Sequence, residues 1–122
     1  MQLSNLINYL NTITSITDKV GNRIFWGIPI TEQTEDYITV NIVTENQPTK
    51  VEKRNRIEFR IIWWDTATTY DTLQDIDKEL VNSLRDYTQD WVYKTTISNY
   101  ANWYDEKQRK VLVRDLILFY TT

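Results

Sequence analysis

The sequence predicts an α+β fold, a mainly antiparallel sheet of four to six strands with two amphipathic helices packed on one face. Two stretches repeat apolar residues at steps of three and four, which is the spacing of one helix face. Several other stretches alternate apolar and polar residues, as strands do. The 122 residues suit one core and contain no internal repeat, so we expect residues 1–122 to form a single domain.

The first helix is predicted over residues 3–19, where apolar side chains share one stripe. The stripe consists of Leu3, Leu6, Ile7, Leu10, Ile13, Ile16 and Val20. Gly21 follows the stripe, and glycine readily adopts the left-handed conformation that ends many helices. A short strand is predicted from Arg23 to Trp26, and Gly27 and Pro29 end it.

Two longer strands are predicted on either side of a polar segment. Residues 37–44 alternate and form the first of them. Residues 45–55 contain a proline and several charges without apolar periodicity, which predicts a loop. The strand over residues 56–65 alternates until Ile62 and Trp64 make its far end apolar on both faces. Such an end needs a second cover, either from the chain itself or from another molecule.

A second amphipathic helix is predicted from the candidate cap residues at 65–68 to about Asp86. The chain then alternates again from Trp91 onward. Residues 99–104 and 109–120 predict a final hairpin.

The last strand changes its apolar phase along its length. Val111 and Val113 share one phase, whereas Leu116 and the apolar residues after it share the other. Continuing the first phase would place Asp115 inside. We therefore predict a bulge near Arg114 and Asp115 that resets the register.

The composition removes most kinds of catalytic site. His and Cys are absent, so the commonest general base, the commonest zinc ligand and the thiol nucleophile are missing. The two glycines do not form a phosphate-binding loop. Asp71 and Asp75 have helical i, i+4 spacing, but acidic residues in the first half of a helix are expected from the helix dipole alone. We expect no enzyme, no cofactor and no metal site.

We do not expect the chain to be an integral membrane protein or to act at a membrane. The purely apolar stretches are far shorter than the roughly 20 residues of a membrane-spanning helix.

The net charge of −3 hides a segregation of charges along the chain. The basic residues form two clusters, one of Lys50, Lys53, Arg54, Arg56 and Arg60 and another of Lys107, Arg109, Lys110 and Arg114. Basic residues near aromatic rings are a feature of nucleic-acid grooves, but the negative net charge argues against direct nucleic-acid binding. Acidic residues concentrate elsewhere, for example at residues 71–79. Separate basic and acidic patches on one molecule suit a head-to-tail contact between identical subunits. Solvated charge on both faces is the ordinary alternative.

The order of the elements carries a resemblance to a known family. Its parts are Gly-Asn-Arg-Ile-Phe at residues 21–25, Pro29, the strand at residues 37–40, a long loop, the strand at residues 56–64 and the second helix. In this order the chain resembles the tail terminator or tail-to-head joining (tail completion) proteins of long-tailed bacteriophages. The resemblance covers most of the chain.

The resemblance implies a structural virion subunit without enzymatic activity. Such a subunit forms a homo-oligomeric ring, typically a hexamer, which caps the growing tail tube and presents a surface to the head connector. The implied partners are therefore other copies of the chain, the tail tube protein and the head-tail connector protein. The implied places are the host cytoplasm during assembly and the tail or neck of the finished virion.

Two alternatives remain beside the tail terminator. One is a neck or head-completion ring protein of the same virion, and the other is a monomeric nucleic-acid-binding module that uses the basic strand at residues 56–60. For a ring subunit, we expect the contacts with neighbouring subunits or other partners at the predicted loop and at the strand end. The expected contact residues are Lys50, Lys53, Arg54, Arg56, Ile62 and Trp64.

Overall fold

The computed structural model describes residues 3–27, 29, 36–64, 69–85, 87, 92–107 and 109–121. Three helices and five strands follow one another along this part of the chain. They are α1 (Leu3–Leu10), α2 (Thr14–Val20), β1 (Ile24–Trp26), β2 (Tyr37–Asn46), β3 (Glu52–Trp64), α3 (Thr69–Arg85), β4 (Val92–Tyr104) and β5 (Arg109–Thr121). The predicted cap residues at 65–68, together with Trp91, lie outside the described residues.

The strands form one sheet in the order β1-β2-β3-β5-β4. The short strand β1 runs parallel to β2 at one edge, and every other neighbouring pair is antiparallel. The α+β class and the mainly antiparallel sheet are therefore confirmed. The longest continuous register joins β3 to β5, from Glu52 opposite Thr121 to Trp64 opposite Arg109.

The helices pack on one face of this sheet and close the main core there. Fully buried side chains from α1, α2 and α3 meet residues of all five strands in a single apolar cluster. Along β3 the core members are odd-numbered: Ile57, Phe59 and Ile61. Because side chains alternate along a strand, the even-numbered residues of β3 lie on the opposite face.

The predicted N-terminal helix is two helices, so the sheet carries three helices and the prediction of two is wrong. The backbone leaves the α-helix at Asn11 and resumes it at Thr14. At the break the Thr12 hydroxyl donates to the Tyr9 carbonyl, at 2.6 Å, which offers the backbone a local alternative to helix. The apolar stripe survives because Leu10 and Ile16 are both fully buried. Gly21 ends α2 as predicted, but its φ of 60° and ψ of −131° lie outside the left-handed helical region that the sequence predicts.

The predicted loop at residues 45–55 is instead the end of a hairpin. Glu45 pairs with Asn55 and Asn46 pairs with Arg54, which leaves only residues 47–51 outside the strands. We call residues 47–51 the hairpin tip. The prediction failed because residues 45 and 46 and Arg54 are polar and exposed, so these strand ends carry no apolar alternation.

The bulge predicted near Arg114 and Asp115 is also wrong in its position. The β3–β5 register is continuous through both residues, and the irregularity lies in β4, between Ile97 and Asn99. Both charged residues keep their strand phase because each has an ion-pair partner on its own face, Asp77 for Arg114 and Arg56 for Asp115. The final hairpin itself is confirmed.

Candidate interaction surface

None of the described helices covers the second face of the sheet, which we call the helix-free face. It carries the even-numbered side chains of β3 and the odd-numbered side chains of β5, opposite the helix-packed core. Tyr37, Ile62, Val111 and Val113 form a small apolar cluster at one end of it. A groove of about 570 Å³ runs beside this cluster, and Trp103 and Arg60 are among the residues that line it.

Arginines dominate the rest of this face, and carboxylates hold them. Arg56 donates from Nε and Nη2 to Asp115 Oδ2, at 3.1 and 2.6 Å, across the β3–β5 pair. Along β3, Arg60 Nε lies 2.6 Å from Glu58 Oε1, and Arg54 Nε lies 3.3 Å from Glu52 Oε1. The basic cluster seen in the sequence is therefore largely neutralised in space, and the predicted segregation of charge is much reduced on this face.

Aromatic rings lie under several of the same cations. The Arg54 guanidinium and the Lys94 ammonium both lie over the Phe119 ring, at 5.0 and 5.2 Å from its centroid. The Arg60 guanidinium lies 5.5 Å from the Trp103 ring. These contacts hold long side chains flat against the sheet, so the helix-free face is an ordered surface of rings and guanidinium planes.

The β4–β5 turn is fixed by one carboxylate. Asp105 accepts hydrogen bonds from the backbone N–H groups of Lys107 and Arg109 and from Arg109 Nε, at 3.0, 2.8 and 2.8 Å. Partial burial alone would raise the pKa of Asp105, but these hydrogen bonds and the Arg109 charge outweigh it and hold that pKa below its ordinary value of 3.8. The turn therefore depends on an ionised Asp105.

The structure separates the predicted contact residues into three places. Lys50 is exposed on the hairpin tip, and Lys53 lines a cavity of about 240 Å³ at its base. Arg54 and Arg56 lie on the helix-free face with their acidic partners. Ile62 lies in the apolar cluster of that face and is 8% exposed, so the second cover expected there is already largely in place.

Trp64 ends β3, where its backbone pairs with Arg109, and its side chain lies outside what the structure describes.

The predicted contact residues include none of the exposed aromatic residues of β4. Strand β4 presents Tyr93, Tyr100, Trp103 and Tyr104, with exposed fractions of 55, 41, 39 and 52%. The sequence, with five tryptophans and eight tyrosines in 122 residues, predicts partial exposure of Trp103 and Tyr104, and the structure confirms it. Their common position at an edge of the sheet follows only from the strand order, in which β4 lies beside β5 and is the last strand.

The described part of the chain offers little for chemistry. No group of three or more His, Cys, Asp or Glu residues in it could hold a metal ion. Asp71 and Asp75 are both exposed on α3. Among the described helices, none combines the length and apolar character needed to cross a membrane.

Comparison with known proteins gives a likeness of fold. No protein-family model matches the chain, and a search of curated proteins finds no match. Among solved structures, the chain is similar to a chain from the virion of a native gene transfer agent particle, with a TM-score of 0.74 and 10% sequence identity. The match covers 94% of this chain and 90% of that chain, so the two share a fold over nearly their whole lengths.

Proposed function

We propose that this chain is a structural virion subunit that forms a ring, caps a phage-type tail tube and joins it to the head connector. The observation that carries the proposal is the likeness to a chain of a gene transfer agent virion over nearly the full length of both chains. The order of elements that resembles tail terminator proteins supports the more specific role. The proposed partners are further copies of the chain, the tail tube protein and the connector protein.

The surface supports an assembly role. Large apolar side chains are exposed on the hairpin tip and along β4, among them Val51 at 64% and Tyr104 at 52%. Protein interfaces are enriched in aromatic residues, and exposed rings at a sheet edge are costly to keep in water without a partner. The described residues thus offer broad surfaces for contacts with other proteins.

The pairing of the arginines disfavours the nucleic-acid-binding module. A nucleic-acid groove needs cations that are available to phosphates. On the helix-free face, Arg54, Arg56 and Arg60 each have a carboxylate within 3.3 Å. Phosphate contacts would have to displace those carboxylates.

Particles assembled without this chain provide the test of the function. If the chain caps the tube, its omission leaves tails of irregular and excessive length that are not joined to heads, and supplying the chain in trans restores both length and joining. Electron microscopy of negatively stained lysates measures both properties. Tails of normal length that fail to join would assign the chain to the neck, and intact particles would overturn a structural role.

The hairpin tip is the proposed contact with the tube or with a neighbouring subunit. Lys50 is exposed there, so Lys50→Glu reverses a charge without removing core packing. We expect this variant to enter particles at least tenfold less efficiently than the wild type. Lys78→Glu, the same change on the exposed side of α3, is the matched control and should enter normally. Equal incorporation of the two variants would exclude the tip as a contact.

A further inference from the structure

The outer edge of β4 is the longest open edge in the described part of the molecule. Strand β4 has 13 residues and lies at the end of the sheet, and no described strand pairs with its outer side. Two irregularities interrupt its first half, between Val92 and Lys94 and between Ile97 and Asn99. From Asn99 to Tyr104, however, six consecutive residues pair with β5 in unbroken register.

This second half of β4 lacks the devices that protect an edge. Native proteins guard open edges with charged residues, proline, bulges or a covering element. The segment Asn99–Tyr104 contains no charge and no proline, and its bulge lies before it. Ala101, Asn102, Trp103 and Tyr104 are all exposed. The first half of β4 has bulges that hinder pairing with another strand, whereas the described second half has none. The second half can therefore accept a further strand on its outer side.

The opposite side of the sheet carries a second open edge of the same length. Strand β1 covers only Ile38, Thr39 and Val40 of β2. Beyond them, Asn41–Asn46 has no described strand on its outer side, and residues 43–46 of it are exposed. Each open segment has six residues, or about 20 Å of strand.

The directions of the strands fit these two edges to each other. Neighbouring long strands are antiparallel throughout the order β2-β3-β5-β4, so β4 runs opposite to β2. When two copies are related by rotation about an axis roughly along the strands, β4 of one copy therefore meets β2 of the next as an antiparallel pair. Antiparallel pairing is the slightly more stable kind.

We propose that copies of this chain join head to tail through their sheets, with Asn99–Tyr104 of one copy added as a strand beside Asn41–Asn46 of the next. The contact uses two different surfaces, so it closes into a ring when the rotation between neighbouring copies divides a full turn. Main-chain hydrogen bonds supply the affinity, and the exposed rings of Trp103 and Tyr104 pack against the neighbour. This inference rests on the ring-forming role proposed above and specifies its interface.

The offset between the two segments is compatible with closure. Asn99 lies level with Asn41 across the sheet, through Asp115 and Glu58. Pairing the two segments therefore shifts neighbouring copies by about five residues, over four long strands. A shift of about one residue per strand is the stagger at which closed sheets form, with strands tilted by roughly 36° in eight-stranded barrels.

Cross-linking of engineered cysteines tests this interface without background, because the natural chain contains no cysteine. Ala101→Cys and Thr44→Cys both place an exposed thiol on the proposed edges. The two single variants are mixed at high concentration and treated with a short bismaleimide that spans about two strand residues, or ~7 Å. We expect cross-linked dimers from the mixture at least tenfold above those from Ala101→Cys mixed with Asn82→Cys, an exposed control position on α3.

Each outcome decides for or against the interface. A double variant with both cysteines should give a ladder that ends in a closed species. Dimers from Ala101→Cys alone, at the yield of the mixture, would mean that two β4 edges pair with each other and would overturn the proposal. Yields no higher than the Asn82→Cys control would also overturn it.

The interface and the proposed function fail in different ways. Rings seen by electron microscopy without the 101–44 cross-link would keep the virion role and refute this interface. The 101–44 cross-link in open filaments, together with particles that form normally without the chain, would keep the edge pairing and refute the capping role.

Discussion

Arg114 and Asp77 join the last strand to α3 inside the helix-packed side of the sheet. Arg114 Nε and Nη2 donate to the two oxygens of Asp77, at 2.8 and 2.6 Å, and both side chains are 15% exposed or less. The hydrogen bonds to Asp77 raise the pKa of Arg114, so the guanidinium stays charged. We expect Asp77→Leu to lower the free energy of unfolding by about 3 kcal/mol, because it leaves a buried cation without its carboxylate.

Urea denaturation measures this effect, and two further variants control it. Glu58→Gln removes the partner of Arg60, which is 45% exposed, and should cost less than about 1 kcal/mol. The double variant Asp77→Leu with Arg114→Met replaces the buried ion pair by apolar groups and should regain most of the loss. If Asp77→Leu and Glu58→Gln lower the free energy of unfolding equally, the Arg114–Asp77 pair contributes no more to stability than the exposed Arg60–Glu58 pair, which would contradict this prediction.

Asp105 gives the β4–β5 turn a defined dependence on pH. The folded state lowers its pKa from the ordinary 3.8, so the ionised form stabilises the fold above that value. The stabilisation is lost as the pH falls through the lowered pKa. We expect Asp105→Asn to be less stable than the wild type at pH 7 by roughly 1 kcal/mol, from weakened hydrogen bonds to the Arg109 and Lys107 donors.

The stability gap between the wild type and Asp105→Asn should begin to shrink below about pH 4. This difference is measured as the free energy of unfolding of both proteins at several pH values between 7 and 2.5. Glu106→Gln, at the exposed neighbouring position, should show a difference of less than about 0.5 kcal/mol at pH 7. A gap for Asp105→Asn that stays constant down to pH 2.5 would contradict the assigned hydrogen bonds.

Single residues also show where sequence reasoning stops. The cluster of basic residues was visible in the sequence, but the partner of Arg56 is Asp115, 59 positions away. The partner of Arg114 is 37 positions away. Such pairs are set by the strand register and by the packing of α3 on the sheet, which local patterns do not contain. The predicted bulge was wrong for the same reason, because Arg114 and Asp115 each have an ion-pair partner on their own face of the sheet.

At the scale of elements, Gly21 ends α2 in a conformation that side chains rarely adopt. Its φ and ψ are 60° and −131°. A Cβ at this position would lie 3.4 Å from Arg23 Nη1, so the cost of an alanine comes mainly from the backbone. We expect Gly21→Ala to lower the free energy of unfolding by about 1–3 kcal/mol. Asn82→Ala, at an exposed position in α3, should be neutral or slightly stabilising. Thermal melts compare the two, and a neutral Gly21→Ala would contradict the assigned cap.

The strands and helices themselves were largely predictable. Alternation of apolar and polar residues identified the central parts of β2, β3 and β5. The helical spacing of apolar residues identified α3, and it identified α1 and α2 together as a single helix. The break at Asn11 was not predictable because it leaves the apolar spacing intact. The hairpin ends at residues 45–46 and 52–55 were missed because their side chains are polar on both faces, including the buried Asn55, so the apolar alternation that identifies a strand is absent.

For the whole molecule, the surface that we propose as the contact was the part least accessible to sequence. Two of the six expected contact residues, Arg54 and Arg56, are held by carboxylates, and a third, Ile62, is buried. The position of the exposed aromatic residues on the edge strand β4, and the open edge of β2, emerge only when the sheet is assembled. The exclusion of His- and Cys-based chemistry needed only the composition. The comparison with a virion chain shows a shared fold, and the meeting of identical copies is part of the proposal.

Cryo-electron microscopy of purified particles from the natural source tests the central claim most directly. The proposed role places one ring of copies of this chain, typically six, at the junction of tail tube and head connector. The map there should accommodate this five-stranded sheet in each subunit, with β4 beside β2 of the next copy. Particles that contain no copy of the chain at the junction, or a single copy without neighbours, would contradict the claim.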